Sequence, residues 1–300
     1  MLQTQRSTSD RSQESTLVLR SPLLTEISWL VHGFSTRLGG VSSLPGAKRG
    51  TGELNLGYVA WDDPANVAEN RQRLLECLEA GGMRPLLQEQ IHSDLIRTIE
   101  RRAKINGRSR GDGLITDRKG ILLAILSADC LPVLVVDVRQ RIAAAFHCGW
   151  RGTARRIAQK GVGRMRMLYG SRPQDLRAAI GPGIRSCCYR VGGDVAAEYE
   201  SQFLFSEALL QSRKLQKKFM NKKYALMRWE SWRGTPSKSH STINLDLVEA
   251  NVRQLEEAGM NRSQIDSESL CTSCHPRLFF SHRRDAGRTG RMLGVVGIRR

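Results

Sequence analysis

Apolar and polar positions follow two different periods along the chain, and those periods locate its elements. Three apolar runs crowd the middle: ILLAIL at 121–126, PVLVVDV at 132–138 and IAAAF at 142–146. Each has the length of a strand. Their unbroken apolarity predicts strands covered on both faces. A fourth run, MLGVVGI at 292–298, predicts a last core strand. HGFSTRLGGVS at 32–42 reads as a strand end entering a glycine turn, followed by a loop, SLPGAKRGTGE.

Helical spacing takes over elsewhere. Asp63 before Pro64 predicts an acidic N-cap with proline at the first helical position. Val67, Leu74, Leu75 and Leu78 then share one face, and Gly81-Gly82 supplies the stop. After the third apolar run, HCGWRGT leads into a second helix. We expect Thr153 to cap it and Ala154, Ile157, Ala158, Met165 and Leu168 to form its buried stripe. Leu245, Val248, Val252 and Leu255 mark a third helix closed by Gly259. Short strands mixed with a few helices, and no internal repeat, predict the α/β class. The expected organisation is one domain over 25–300, preceded by a disordered polar leader over 1–24 and carrying a basic insertion near 211–241.

Composition narrows the picture. The chain has 300 residues, enough to bury a sizeable core. It is 40% hydrophobic and 25% charged, as soluble globular proteins are. No apolar run approaches the roughly 18–20 residues that span a bilayer, so no membrane role is expected. The first residues, MLQTQRSTSDRSQEST, lack the apolar stretch of a secretory signal. Seven cysteines, an odd number, fit reduced thiols and a cytoplasmic location better than a disulfide scaffold.

The formal net charge of +18 points to an anionic partner. Nine Lys/Arg stand between Arg213 and Lys238 against one acid, Glu230, and a second basic excess runs from Arg277 to Arg300. We read both as solvated basic surface. No RNA-binding signature, zinc-finger spacing or helix-turn-helix accompanies the charge, so nucleic acid stays a minor alternative that the charge leaves open. No motif fixes an oligomeric state.

Candidate chemistry sits where the core strands end. His92 lies in QIHSD, Cys130 in the LSADCLP turn between two apolar runs, and His147 at the end of the third run. Two imidazoles and a thiolate suit zinc, and three protein ligands leave a fourth position open, as catalytic zinc sites do. Copper accepts the same ligands. Cys130 as a covalent nucleophile paired with His147 is a further option, but it leaves His92 without a role. A competing set is Cys271-Thr-Ser-Cys274-His275 with Cys187-Cys188. It has one CxxC only, and we expect packing or loosely reactive thiols there ahead of a structural zinc. The HxE…PCxxC pattern of zinc nucleobase deaminases is absent.

Taken together, HGFSTRLGGVS, NLGYVAWDDPANVAENRQRL, QIHSD, DGLIT, SADCLPVL, AAFHCGWRGT, AAIGPGIRSCCYRVG and CTSCHPRLFFSHRRDAGRTGR resemble the laccase-domain (YfiH-type) family. That family was first called polyphenol oxidase and later described as purine nucleoside phosphorylase. The resemblance covers roughly 25–298. It implies a single layered α/β domain of mixed sheets flanked by helices, with metal ligands at His92, Cys130 and His147. It also implies phosphorolysis of adenosine, inosine and S-methyl-5'-thioadenosine, and hydrolytic deamination of adenosine. Copper-dependent phenol oxidation is the alternative; six histidines and no HxH pair give a multicopper centre no support. A basic binding protein with a vestigial site is the third hypothesis. His147 is followed by Cys148 where the family usually has alanine, and we expect Cys148 to point away from the metal into packing.

Phosphorolysis requires a phosphate clamp, for which paired guanidinium donors are suited. Arg37 and Arg71 rank first because they lie in the family motifs; Arg151, Arg283 and Arg284 follow. Asn55 is a candidate for orienting a substrate hydroxyl. Deamination requires a proton shuttle. Asp129 beside Cys130 is either that shuttle or a partner of a ligand histidine, and His282 is a further acid/base candidate.

Overall fold

The computed structural model describes residues 3–6, 15–44, 52–100, 109–213 and 242–300. In chain order the strands are β1 (Gln3–Arg6), β2 (Leu17–Arg20), β3 (Leu30–Ser35), β4 (Leu38–Ser42), β5 (Arg84–Leu86), β6 (Ile96–Ile99), β7 (Gly113–Thr116), β8 (Ile121–Ser127), β9 (Leu131–Asp137), β10 (Ile142–Cys148), β11 (Leu176–Ile180), β12 (Arg190–Val191), β13 (Leu210–Arg213), β14 (Thr242–Leu245), β15 (Ile265–Ser267) and β16 (Met292–Ile298). The helices are α1 (Pro22–Thr25), α2 (Pro64–Cys77), α3 (Trp150–Ala154), α4 (Ile157–Tyr169), α5 (Gly193–Gln202), α6 (Ser206–Leu209) and α7 (Leu247–Glu257).

Two six-stranded mixed sheets carry the molecule. One runs β1-β2-β3-β16-β8-β5 and the other β15-β11-β9-β10-β7-β6. Alternation along the strands explains how they stack. In β9, Val133 and Val135 join one apolar cluster with α4 and α7, while Leu134 and Val136 join another with Phe34, Leu123, Ile125 and Val296 of the first sheet. Successive side chains point to opposite faces, so a strand between two layers must be apolar throughout. A third cluster packs Leu74, Cys77 and Leu78 against Val31, Leu122, Ala124 and Val295 on the outer face of the first sheet. The layers are therefore helix, sheet, sheet, helix: a mixed α/β domain, as the pattern of runs predicts.

The predicted elements form with adjusted ends. Asp63 caps α2 by accepting from the Ala65 N–H, but α2 stops at Cys77, ahead of Gly81-Gly82. Thr153 does not cap the second helix. It is buried inside α3, where its hydroxyl accepts from Asn251; Arg156 at φ 62° separates α3 from α4. Leu168 is exposed, and Leu245 belongs to β14. Two strands, β1 and β2, and α1 at Pro22–Thr25 stand where the leader was expected through residue 24, and β1 pairs with β2. Leu17–Arg20 pairs with β3, and Val18 is fully buried, because its three apolar residues in a row need a covered face. Of the expected basic insertion, 214–241 lies outside the described residues. No helix among the described residues is long and apolar enough to cross a membrane.

Candidate active site

The sheet arrangement makes the site. β8 belongs to the first sheet and β9 to the second, so residues 128–130 are a crossover between layers. Cys130 sits at its end. In β10, Ile142, Ala144, Phe146 and Cys148 face the helices while Ala143 and Ala145 face the first sheet. His147 keeps the parity of the latter, and so arrives on the inter-sheet side beside the crossover. Cys148 points the other way and is fully buried among apolar groups, and burial pushes its thiol up. Gly149 then turns the chain into α3. A methyl group there would stand 2.9 Å from Cys130 Sγ and 3.3 Å from His92 Cδ2.

His92 reaches the same point from a loop, at φ 57°. Asp112 holds that loop. Its carboxylate accepts the N–H of Ile91, His92 and Ser93 and the Ser93 hydroxyl, and it meets His147 Nδ1 at 2.8 Å. Burial alone would raise the Asp112 carboxyl. The His147 and Ser93 bonds outweigh it and bring it to about 2. An anionic Asp112 on Nδ1 leaves His147 Nε2 free for a ligand.

The ligand atoms of His92, Cys130 and His147 lie within 4.8 Å of one another, and the two imidazole rings meet edge-on with centroids 4.9 Å apart. Burial would raise the Cys130 thiol, but the adjacent His147 and His92 hold it well below its ordinary value. His147 is correspondingly raised against its own burial by Cys130 and Asp112. A thiolate, a nitrogen oriented by a carboxylate and a second imidazole are the donor set for a metal ion, so the residues present fit one.

The cluster lines a cavity of about 540 Å³, within the size range of small-molecule sites. Arg151, Arg283 and Arg291 line it too, with His282, Tyr189 and Trp150. None of the three guanidiniums has a carboxylate partner among the described residues. Arg151 stacks on Trp150, and Arg283 lies over Tyr189 while donating to the Arg190 carbonyl.

Other expected residues stand elsewhere. Arg37 is bound to Glu53 through Nε (2.6 Å) and Nη2 and donates to the Pro276 carbonyl; Arg71 donates twice to the Leu56 carbonyl. Neither lines the cavity. Both are held in place by partners of their own, which family motifs do not disclose. Arg284 is paired with Asp285. Asn55 accepts from the Arg291 and Gly57 N–H groups and donates to Asp62, so it shapes the loop behind Arg291. Asp129, at φ 95°, lines the cavity, but its oxygens accept from the Thr272 hydroxyl and the Arg283 N–H. The carboxylate on a ligand histidine is Asp112. Asp112 and Arg291 both lie inside quoted motifs, DGLIT and GRTGR, yet carried no signal of their role.

Two layered sheets with an imidazole–thiolate–imidazole cluster at their crossover define a laccase-like α/β protein with a metal-type site. The chain belongs to the family described as multi-copper polyphenol oxidoreductase laccase, whose model matches residues 31–299. It is 37% identical over 280 residues to "Purine nucleoside phosphorylase YlmD" of Geobacillus stearothermophilus, covering 90% of each chain. It is 36% identical over 283 residues to "Purine nucleoside phosphorylase" of Deinococcus radiodurans, covering 94% of this chain and 93% of that one. The crystal structure of the hypothetical protein YfiH from Bacillus licheniformis is similar at a TM-score of 0.76 and 31% identity, covering 95% of this chain and 96% of that one. Relatives so named support an enzyme.

Proposed function

We propose that the chain is a zinc-dependent purine nucleoside phosphorylase acting on adenosine, inosine and S-methyl-5'-thioadenosine, with adenosine deaminase activity, in a reducing cytoplasm where its thiols stay free. One observation carries the phosphate half: three guanidiniums without carboxylate partners among the described residues share a cavity with the His/Cys cluster. The names of the relatives supply the nucleoside. Arg151, Arg283 and Arg291 hold phosphate, so that one of its oxygens bonds to the ribose C1' as the bond to the purine breaks. Tyr189 and Ile184 offer a wall for the base. His282, the cavity histidine outside the cluster, holds the proton that the departing purine takes up. Asp129 has both oxygens engaged and serves to fix the Arg283 backbone.

His92, Cys130 and His147 would hold the metal, which supplies Lewis-acid polarisation and activates water for the deamination. Zinc is favoured over a multicopper oxidase centre because only two histidines converge there among the described residues.

The test is purine release from each nucleoside with and without phosphate, alongside ammonia release from adenosine. Phosphate-dependent release, lost in a Cys130→Ala/His147→Ala double variant, is the expected result. Release that ignores phosphate, or survives that variant, overturns the proposal.

A further inference from the structure

Six of the seven cysteines have no part in the cavity, and four of these converge. Cys187 and Cys188 follow β11, and Cys271 and Cys274 form the CxxC turn after β15. All four Sγ atoms lie within 4.8 Å of one another. Cys188 and Cys274 are 3.3 Å apart, Cys187 and Cys274 3.6 Å, and Cys187 and Cys188 3.8 Å. A disulfide needs about 2.05 Å. Four sulfurs around a tetrahedral zinc, each about 2.3 Å from it, stand about 3.8 Å from one another. The three spacings among Cys187, Cys188 and Cys274 fall at or somewhat inside the edges of that tetrahedron, and Cys271 Sγ lies within 4.8 Å of each.

One backbone N–H is directed at the quartet. The Arg185 N–H points at Cys271 Sγ at 3.5 Å. Such N–H···S bonds are the outer partners that metal-bound thiolates use. Two stretches of chain far apart in sequence meet here: Gly183 bridges to Cys271, and the Thr272 N–H donates to the Gly183 carbonyl.

We propose that Cys187, Cys188, Cys271 and Cys274 form a second metal site, a tetrathiolate that takes zinc, distinct from the His92/Cys130/His147 centre. Binding forms four Zn–S bonds, passes the protons of any remaining thiols to solvent, and transfers no electrons. A closed shell of four protein ligands makes the site structural. Its location says what it holds. Thr272, inside the CxxC turn, donates to Asp129, whose other oxygen takes the Arg283 N–H. The site thereby pins one wall of the cavity without touching substrate.

The experiment is metal content of the purified full chain, with zinc X-ray absorption. A Cys130→Ala/His147→Ala variant should retain one zinc per chain with an all-sulfur shell. A Cys187→Ser/Cys274→Ser variant should lose that equivalent. The unsubstituted protein gives a readout that depends on no variant folding: sulfur should outnumber nitrogen around its zinc. A nitrogen-dominated shell, or an isolated protein whose mass is two hydrogens short and maps to a Cys188–Cys274 disulfide, overturns the proposal.

Discussion

Asp112 does more for the candidate centre than any residue that could touch the metal, because one buried carboxylate serves two ligands. It gathers three successive N–H groups of the His92 loop and orients the His147 ring. Replacing it by Asn keeps the size but removes the charge, and turns one acceptor into a donor facing N–H groups. Asp112→Asn should therefore weaken zinc binding by about 10–100-fold, read by competition with a chelator. Unchanged affinity would mean that His147 needs no anchor. The arginines divide by their partners. Arg291→Met should raise the KM for phosphate about tenfold or more, as loss of charged hydrogen bonds does. Arg37→Met, which strips Glu53 of its partner, should lower the melting temperature and leave that KM unchanged. Motif membership singled out His92, Cys130 and His147, and the structure brings their side chains within 4.8 Å of one another. Motif membership could not rank the arginines or single out Asp112. What decides those roles is the partner each side chain meets, 16 residues away for Arg37 and 35 for His147 with Asp112.

At the scale of elements, apolar run length located β8, β9, β10 and β16, and the Asp63-Pro64 pair located α2. Apolarity does not say to which sheet a strand belongs, so the crossover between β8 and β9 was not legible. That crossover is what brings Cys130 to His147. Helix interruption was equally hidden: Arg156 adopts a left-handed conformation that its residue type does not announce. The close fit of α4 on β10 can be tested by two glycines on one helix. A methyl at Gly161 would lie 2.1 Å from the Phe146 ring, whereas one at Gly163 meets nothing within 4 Å. Gly161→Ala should destabilise the protein by about 1–3 kcal/mol through overpacking. Because Phe146 precedes His147, it should also weaken metal binding. Gly163→Ala should stabilise by about 1 kcal/mol, since alanine is the better helix former. Thermal or denaturant melts of the pair decide it; equal effects would show that α4 does not seat on Phe146.

Across the whole molecule, the two sheets are clamped at Ser21, where α1 begins. The Ser21 N–H donates to His32 Nε2 in β3 of the first sheet, and its hydroxyl donates to Asp266 in β15 of the second. For His32 to accept, its ring must be neutral. Burial, and then the charge of Arg20, favour that state and lower its pKa from 6.5 to about 4. The unfolded chain takes up a proton near 6.5 while the folded chain resists until about 4. The stability this group contributes is thus complete above pH 6.5 and is lost as the pH falls from there toward 4. The loss amounts to about 3 kcal/mol. His32→Gln supplies a side-chain oxygen that can accept from Ser21 but does not titrate. Denaturant melts of both proteins from pH 7 to pH 4 should diverge, the variant losing about 3 kcal/mol less over that window. Parallel curves would assign the acid sensitivity to other groups and leave the clamp indifferent to protonation.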